Sequence, residues 1–143
     1  MVYLDTSVVV ALLIAEPRSD EVASWFARSA APLAASDWLV TEFASALAIK
    51  RSGGQIASAL LRAARREFDA LYTRGLQVIP IDRDTFAAAA ELIHAVGRGL
   101  RAGDALHLAA ARRAGAGAVA TIDPRMAEAA SRIGLAVELG GRG

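Results

Sequence analysis

Met1-Val2-Tyr3-Leu4-Asp5-Thr6-Ser7-Val8-Val9-Val10-Ala11-Leu12-Leu13-Ile14-Ala15 opens the chain with a short apolar run, an acid, two hydroxyls and a second apolar stretch. Val2 to Leu4 has the character of a buried strand, and Asp5-Thr6-Ser7 reads as the turn that ends it. In α/β folds ligands gather beyond the carboxyl ends of parallel strands, so an acid delivered at that edge is placed for chemistry. A purely structural account is open as well: Asp5, Thr6 or Ser7 can cap the next helix by accepting from its free backbone N–H groups.

Working outward, strand-like and helical segments alternate. Strands are expected near Val2 to Leu4, Pro32 to Ala35, Gln77 to Ile81, Ala118 to Ile122 and Leu135 to Leu139. Helices are expected near Thr6 to Ala15, Ser19 to Ala30, Asp37 to Arg51, Gln55 to Arg74, Asp82 to Val96, Ala102 to Ala114 and Pro124 to Ile133. This alternation predicts an α/β fold, a three-layer α/β/α sandwich around a central parallel sheet of about five strands. Gly53-Gly54, and then Gly97 and Gly99, separate neighbouring helices, and the tail Gly140-Gly141-Arg142-Gly143 reads as loose. No linker or internal repeat interrupts residues 1–143, so a single domain is expected.

Composition narrows the class. With 55% hydrophobic and 22% charged residues the chain can bury a core rather than stay disordered. It contains no Cys, which excludes disulfides and thiolate metal sites. Sixteen basic residues against fifteen acidic ones leave no global charge that would announce a polyanion partner. The N-terminal strand shows no basic leader, and Val8 to Ala15 is too short to span a bilayer, so no membrane association and a cytoplasmic location are expected.

Three further acids join Asp5. In Ser36 to Lys50, at about 100° per residue, Leu39, Phe43, Ala46, Leu47 and Ile49 share one arc, and Glu42 falls inside it. Burying an unpaired carboxylate is costly, so a cation, an Arg or a deep cleft is implied there. Asp104 opens the Ala-rich helical stretch Ala102 to Ala111 and shares a face with His107, Leu108 and Ala111; His107, three residues on, is either a partner that orients it or simply a packed helix histidine. The helix dipole gives Asp104 a structural motive of its own. Asp123 follows the strand Ala118 to Ile122, and Asp123-Pro124 is also a good N-cap followed by Pro at the first helical position. Four carboxylates without thiolates favour a hard divalent cation, Mg²⁺ or Mn²⁺.

Arg98 and Arg101 precede Asp104 and are candidates for substrate contact. The helix Gln55 to Arg74 carries Ala57, Leu60, Leu61, Ala64, Phe68 and Leu71 on one side. Arg62, Arg65 and Arg66 on the other are either a phosphate-binding stripe or a solvated face. His94 and His107 lack paired ligand spacing and read as packed helix residues. Trp25, Phe26 and Trp38 fit core or interface positions rather than a base-stacking platform.

Taken in order, Val2-Tyr3-Leu4-Asp5-Thr6-Ser7, Thr41-Glu42-Phe43-Ala44-Ser45-Ala46-Leu47, Arg101-Ala102-Gly103-Asp104-Ala105-Leu106-His107-Leu108-Ala109 and Thr121-Ile122-Asp123 closely resemble the PIN-domain family. Within that family the chain looks like a VapC-type toxin of a toxin–antitoxin pair, and the resemblance runs from Met1 to about Leu139. It implies a Mg²⁺- or Mn²⁺-dependent endoribonuclease with Asp5, Glu42, Asp104 and Asp123 as the acidic cluster and metal ligands. Thr6 and Thr121 would be hydroxyl helpers beside them. It also implies an RNA substrate, a homodimer, and a cognate antitoxin protein that covers the site. Asp123 is the position of the four that varies within the family.

Metal-activated water attacking in line would leave 5′-phosphate and 3′-hydroxyl ends. Three other readings remain open at this stage. Asp5-Thr6-Ser7 resembles the nucleophile turn of haloacid-dehalogenase phosphatases, except that Ser7 stands where that chemistry wants a second Asp. A PIN-like module without activity could bind RNA or protein. An RNA-processing nuclease could work without an antitoxin.

Overall fold

A computed structural model describes residues 1–140, so all of the expected loose tail but Gly140 lies outside the described residues. The elements run β1 (Val2–Leu4), α1 (Thr6–Leu13), α2 (Ser19–Arg28), β2 (Leu33–Ser36), α3 (Trp38–Ser52), α4 (Ser58–Ala70), a π-helical turn (Leu71–Gly75), β3 (Gln77–Ile79), α5 (Arg83–Val96), α6 (Ala102–Arg113), β4 (Ala118–Ala120), α7 (Pro124–Arg132) and β5 (Ala136–Glu138). The five strands form one parallel sheet in the order β3-β2-β1-β4-β5. With helices on both faces, this is the α/β/α sandwich expected of the alternating pattern.

Strand alternation divides the core in two. Val2 and Leu4 point into an apolar cluster with Val8, Val9, Phe43 and Phe68, whereas Tyr3 and Val119 point the other way, among Leu92, Leu108 and Met126. On the second face α6 is buried from Ala105 to Ala111, and small side chains let it sit close to the sheet while α5 packs over it.

Two local expectations are corrected. The helix expected over Gln55 to Arg74 begins only at Ser58 and gives way to the π-helical turn after Ala70. Its packed stripe is also narrower than the pattern suggests. Phe68 stacks on Phe43 with ring centroids 4.3 Å apart and 9° between planes, which sets the rotation of α4 against α3 and leaves Leu60 63% exposed. On α3 itself Leu39, Phe43 and Leu47 are buried as expected, but Ile49 is 68% exposed.

The strand order places the site. From β1 the chain moves outward through β2 to β3, then returns to the opposite side of β1 for β4 and β5. The carboxyl end of β1 is therefore a topological switch point, where neighbouring connections leave in opposite directions and open a crevice. Asp5 follows β1 there, with its backbone N–H donating to the Ala120 carbonyl at 3.0 Å, and Thr121 follows β4.

Because Ala110 of α6 is fully buried and lines none of the cavities beside it, enlarging it should strain the sandwich. Ala110, fully buried, is expected to lose about 1 to 3 kcal/mol of stability as Ala110→Leu, read by urea unfolding, while Ala90→Leu on the exposed face of α5 should change it little.

Candidate metal centre

At the switch point Asp5, Thr6, Ser7, Trp38, Glu42, Arg101, Gly103, Asp104 and Asp123 line a cavity of about 350 Å³. All four sequence-predicted acids thus meet in one place, delivered by the ends of β1 and β4, the second turn of α3 and the first turn of α6. A larger cleft of about 670 Å³ beside α3 and α4 carries no carboxylate.

Asp5 occupies the N-cap position of α1 without using its side chain as a cap. Its Oδ2 instead accepts from Ser7 Oγ at 2.6 Å and Thr121 Oγ1 at 2.8 Å. The capping account therefore fails for this residue, and Oδ1 has no hydrogen bond among the described residues. Thr121 is fully buried and also accepts from the backbone N–H of Asp123 at 3.0 Å, tying the two acids' segments together.

Glu42 is held from the opposite side. Thr6 Oγ1 donates to its Oε2 at 2.6 Å, and His107 Nε2 lies 2.7 Å from the same oxygen. Burial pushes the Glu42 carboxyl up, but His107, Thr6 and a weaker contribution from Trp38 outweigh it and leave the group below the usual range. An ionised carboxylate only accepts, so His107 Nε2 carries the proton.

His107 is fully buried, and its Nδ1 lies 2.8 Å from the Tyr3 hydroxyl, itself 2.7 Å from Ser36 Oγ. Burial holds the Tyr3 phenol above its usual range. His107 is packed, as the sequence suggested, and of the carboxylates it steadies Glu42 rather than Asp104; His94, by contrast, is exposed on α5 rather than packed.

Asp104 and Asp123 share one cation. Arg101 donates from Nε to Asp104 Oδ2 and from Nη2 to Asp123 Oδ2, both at 2.9 Å. Asp123 Oδ1 meanwhile accepts from the Arg125 backbone N–H at 2.8 Å, so Asp123 is the α7 cap the sequence suggested and also a wall of the pocket. Burial pushes the Asp104 carboxyl up, Arg101 pulls it down, and Asp5 and Asp123 add to the rise, so that it ends above the usual range.

Donor atoms of Asp5, Glu42 and His107 lie within 4.8 Å of one another; Asp104 and Asp123 line the same cavity outside that group. Arg98 does not reach the cavity. Gly103 explains the open floor: a Cβ there would lie 2.7 Å from Glu42 Oε1 and 3.2 Å from Trp38 Nε1. That indole N–H is buried and makes no hydrogen bond of good geometry, although its N–H dipole still favours ionised Glu42. Open oxygens on Asp5 and Glu42, a hard donor set and the space over Gly103 fit a divalent cation.

The sequence reading missed Ser7, Gly103, Trp38 and the Glu42 contact of His107. Only the adjacency of Ser7 to Asp5 offered a signal along the chain.

The profile of the PIN domain family matches residues 2–132. The chain belongs to this family. Solved structures show the same fold. VapC20 from Mycobacterium tuberculosis, a sarcin-ricin loop cleaving toxin, superposes with a TM-score of 0.73 at 20% identity over 94% of this chain and 96% of that one. A toxin–antitoxin complex from Klebsiella pneumoniae gives 0.68 at 17% identity over 99% and 100%. VapBC2 from Rickettsia felis, bound to a promoter DNA fragment, gives 0.64 at 18% identity over 96% and 98%. No curated protein matches the chain by sequence. Among the described residues of this PIN domain, no helix is long and apolar enough to cross a membrane.

Two outcomes follow for this PIN domain. Gly103→Ala should fold, because Ala is about 1 kcal/mol the better helix former, yet bind Mn²⁺ at least about tenfold more weakly by calorimetry as Glu42 is displaced. Arg101→Gln at about pH 8, where the carboxylates are ionised, should bind Mn²⁺ about tenfold more tightly, since the guanidinium no longer competes for Asp104 and Asp123. That gain should shrink as pH falls, because without Arg101 the Asp104 carboxyl rises further and a proton competes from a higher pH. Weaker binding by Arg101→Gln at about pH 8 would show that Arg101 supports the cation site instead.

Proposed function

We propose that this PIN domain is a divalent-cation-dependent endoribonuclease, the toxin of a toxin–antitoxin pair. The carrying observation is the pair of carboxylates, Asp5 and Glu42, each fixed through one oxygen by buried hydroxyl or imidazole groups while the other stays open. PIN nucleases generally use divalent metals, and the structural neighbours include a toxin that cleaves the sarcin-ricin loop and a toxin–antitoxin complex.

Bound here, Mg²⁺ or Mn²⁺ would supply a water of lowered pKa and neutralise charge at the scissile phosphodiester. Asp5 and Glu42 would hold the cation, with Asp104 and Asp123 completing the acidic wall. Ser7, Thr121, Thr6 and His107 keep the first two from rotating away or repelling each other, which preorganises the donors. A cation held there would compete with Arg101 for Asp104 and Asp123, the two carboxylates it bridges. Hydrolysis without the ribose 2′-hydroxyl leaves 5′-phosphate and 3′-hydroxyl ends. The same reading carries a homodimer, a cytoplasmic location and an antitoxin that screens the acidic pocket.

Purified protein freed of copurifying antitoxin should cut total cellular RNA at discrete positions with Mg²⁺ or Mn²⁺. Cutting should vanish with chelator and fall about a hundredfold or more in Asp104→Asn, with end sequencing naming the target. A 2′,3′-cyclic phosphate as direct product would refute the hydrolytic route. No cleavage by folded, metal-loaded protein would favour a PIN-like binding module.

A further inference from the structure

Beside the acid pocket a second cleft, of about 220 Å³, opens between the Val96 to Leu100 turn and one face of α7. The two are contiguous in chain: Arg101 directly follows the turn, and Asp123 caps the helix on which Arg125 is the second residue. Arg125, Glu128 and Arg132 share the lining face of α7 by their spacing of three and four. Arg132 is already matched, its Nη2 lying 2.7 Å from Glu128 Oε1. Arg98 and Arg125 are exposed, and neither makes an ion pair among the described residues. Gly97 and Gly99, at φ of 77° and 101°, hold the turn that presents Arg98 in a backbone other residues rarely adopt.

An RNA strand entering the acid pocket meets four carboxylates, and Arg101 is engaged with two of them. Its flanking phosphates need cations that are near the pocket and not already neutralised. Arg98 and Arg125 meet both conditions, and a guanidinium fork suits phosphate oxygens better than a point charge does. We propose that Arg98 and Arg125 form a phosphate-binding rim that holds the RNA backbone beside the scissile linkage. This rests on the nuclease reading for the identity of the strand, but the rim is a binding claim with its own readout. The arginines of α4 contribute no residue to either cleft, which makes Arg62 a fair control.

The test is anisotropy of a short fluorescent single-stranded RNA of mixed sequence, with chelator present so that it stays whole, over a range of NaCl concentrations. Arg98→Ala and Arg125→Ala should each weaken binding about three- to tenfold and flatten the salt slope by about 0.7, the double variant by about twice that, with Arg62→Ala unchanged. Melting temperature and Mn²⁺ affinity of the double variant should match wild type. Unchanged RNA affinity and slope in the double variant overturns the rim, as does wild-type protein that binds no RNA. A loss confined to an acidic peptide probe also overturns it, in favour of a protein partner. RNA held through both arginines but never cleaved with metal would support the rim and refute the nuclease.

Discussion

Four carboxylates brought to the end of one strand repel each other, and the whole arrangement around the switch point answers that repulsion. Two like charges about 4 Å apart cost about 4 kcal/mol at an effective dielectric of 20, so half-buried acids cannot share a pocket without counter-charge or strong donors. The structure divides the task. Asp5 and Glu42 receive neutral hydroxyls and an imidazole, each on one oxygen, while Asp104 and Asp123 receive a guanidinium between them. What is left is an oxygen-lined opening between two fixed carboxylates, with an exposed, doubly paired guanidinium at its rim.

The fold makes this possible with little material. β1 contributes only three residues to the sheet, but it is central, so its side chains reach both layers. Tyr3 points to the α5, α6 and α7 side and meets His107 of α6, and His107 in turn meets Glu42 of α3 and Thr6 of α1. One buried hydrogen-bonded chain therefore runs from the sheet to the site. A buried donor or acceptor left unpaired costs about 1 to 3 kcal/mol, so packing of the second core and geometry of the acids are coupled. Gly103 matters for the same reason: the helix that carries Asp104 passes so close to Glu42 that only a hydrogen fits between them.

Much of this was legible along the chain, because strands, helices and caps are local signals. The strand centred on Tyr3, the Asp123-Pro124 cap and the inward Glu42 on α3 all follow from periodicity and turn chemistry. Where local pattern misled, tertiary packing was the cause: the Phe43 and Phe68 stack rotates α4 so that Leu60 faces out. His107 could not be assigned from sequence, since its partners Tyr3, Thr6 and Glu42 lie 104, 101 and 65 positions away. The same holds for Arg101, whose second carboxylate is 22 residues distant. Four acids in sequence can be suspected of sharing a pocket, but which of them stays open and which is already paired is decided only by distances.

The central claim is that a divalent cation belongs between Asp5 and Glu42 and displaces Arg101 from its carboxylates. The most direct measurement is anomalous diffraction from crystals of the protein grown with Mn²⁺. The account predicts a manganese peak bounded by the Asp5 and Glu42 carboxylates, with the Arg101 guanidinium turned away from Asp104. No peak at saturating Mn²⁺, with Arg101 still bridging Asp104 and Asp123, would contradict it.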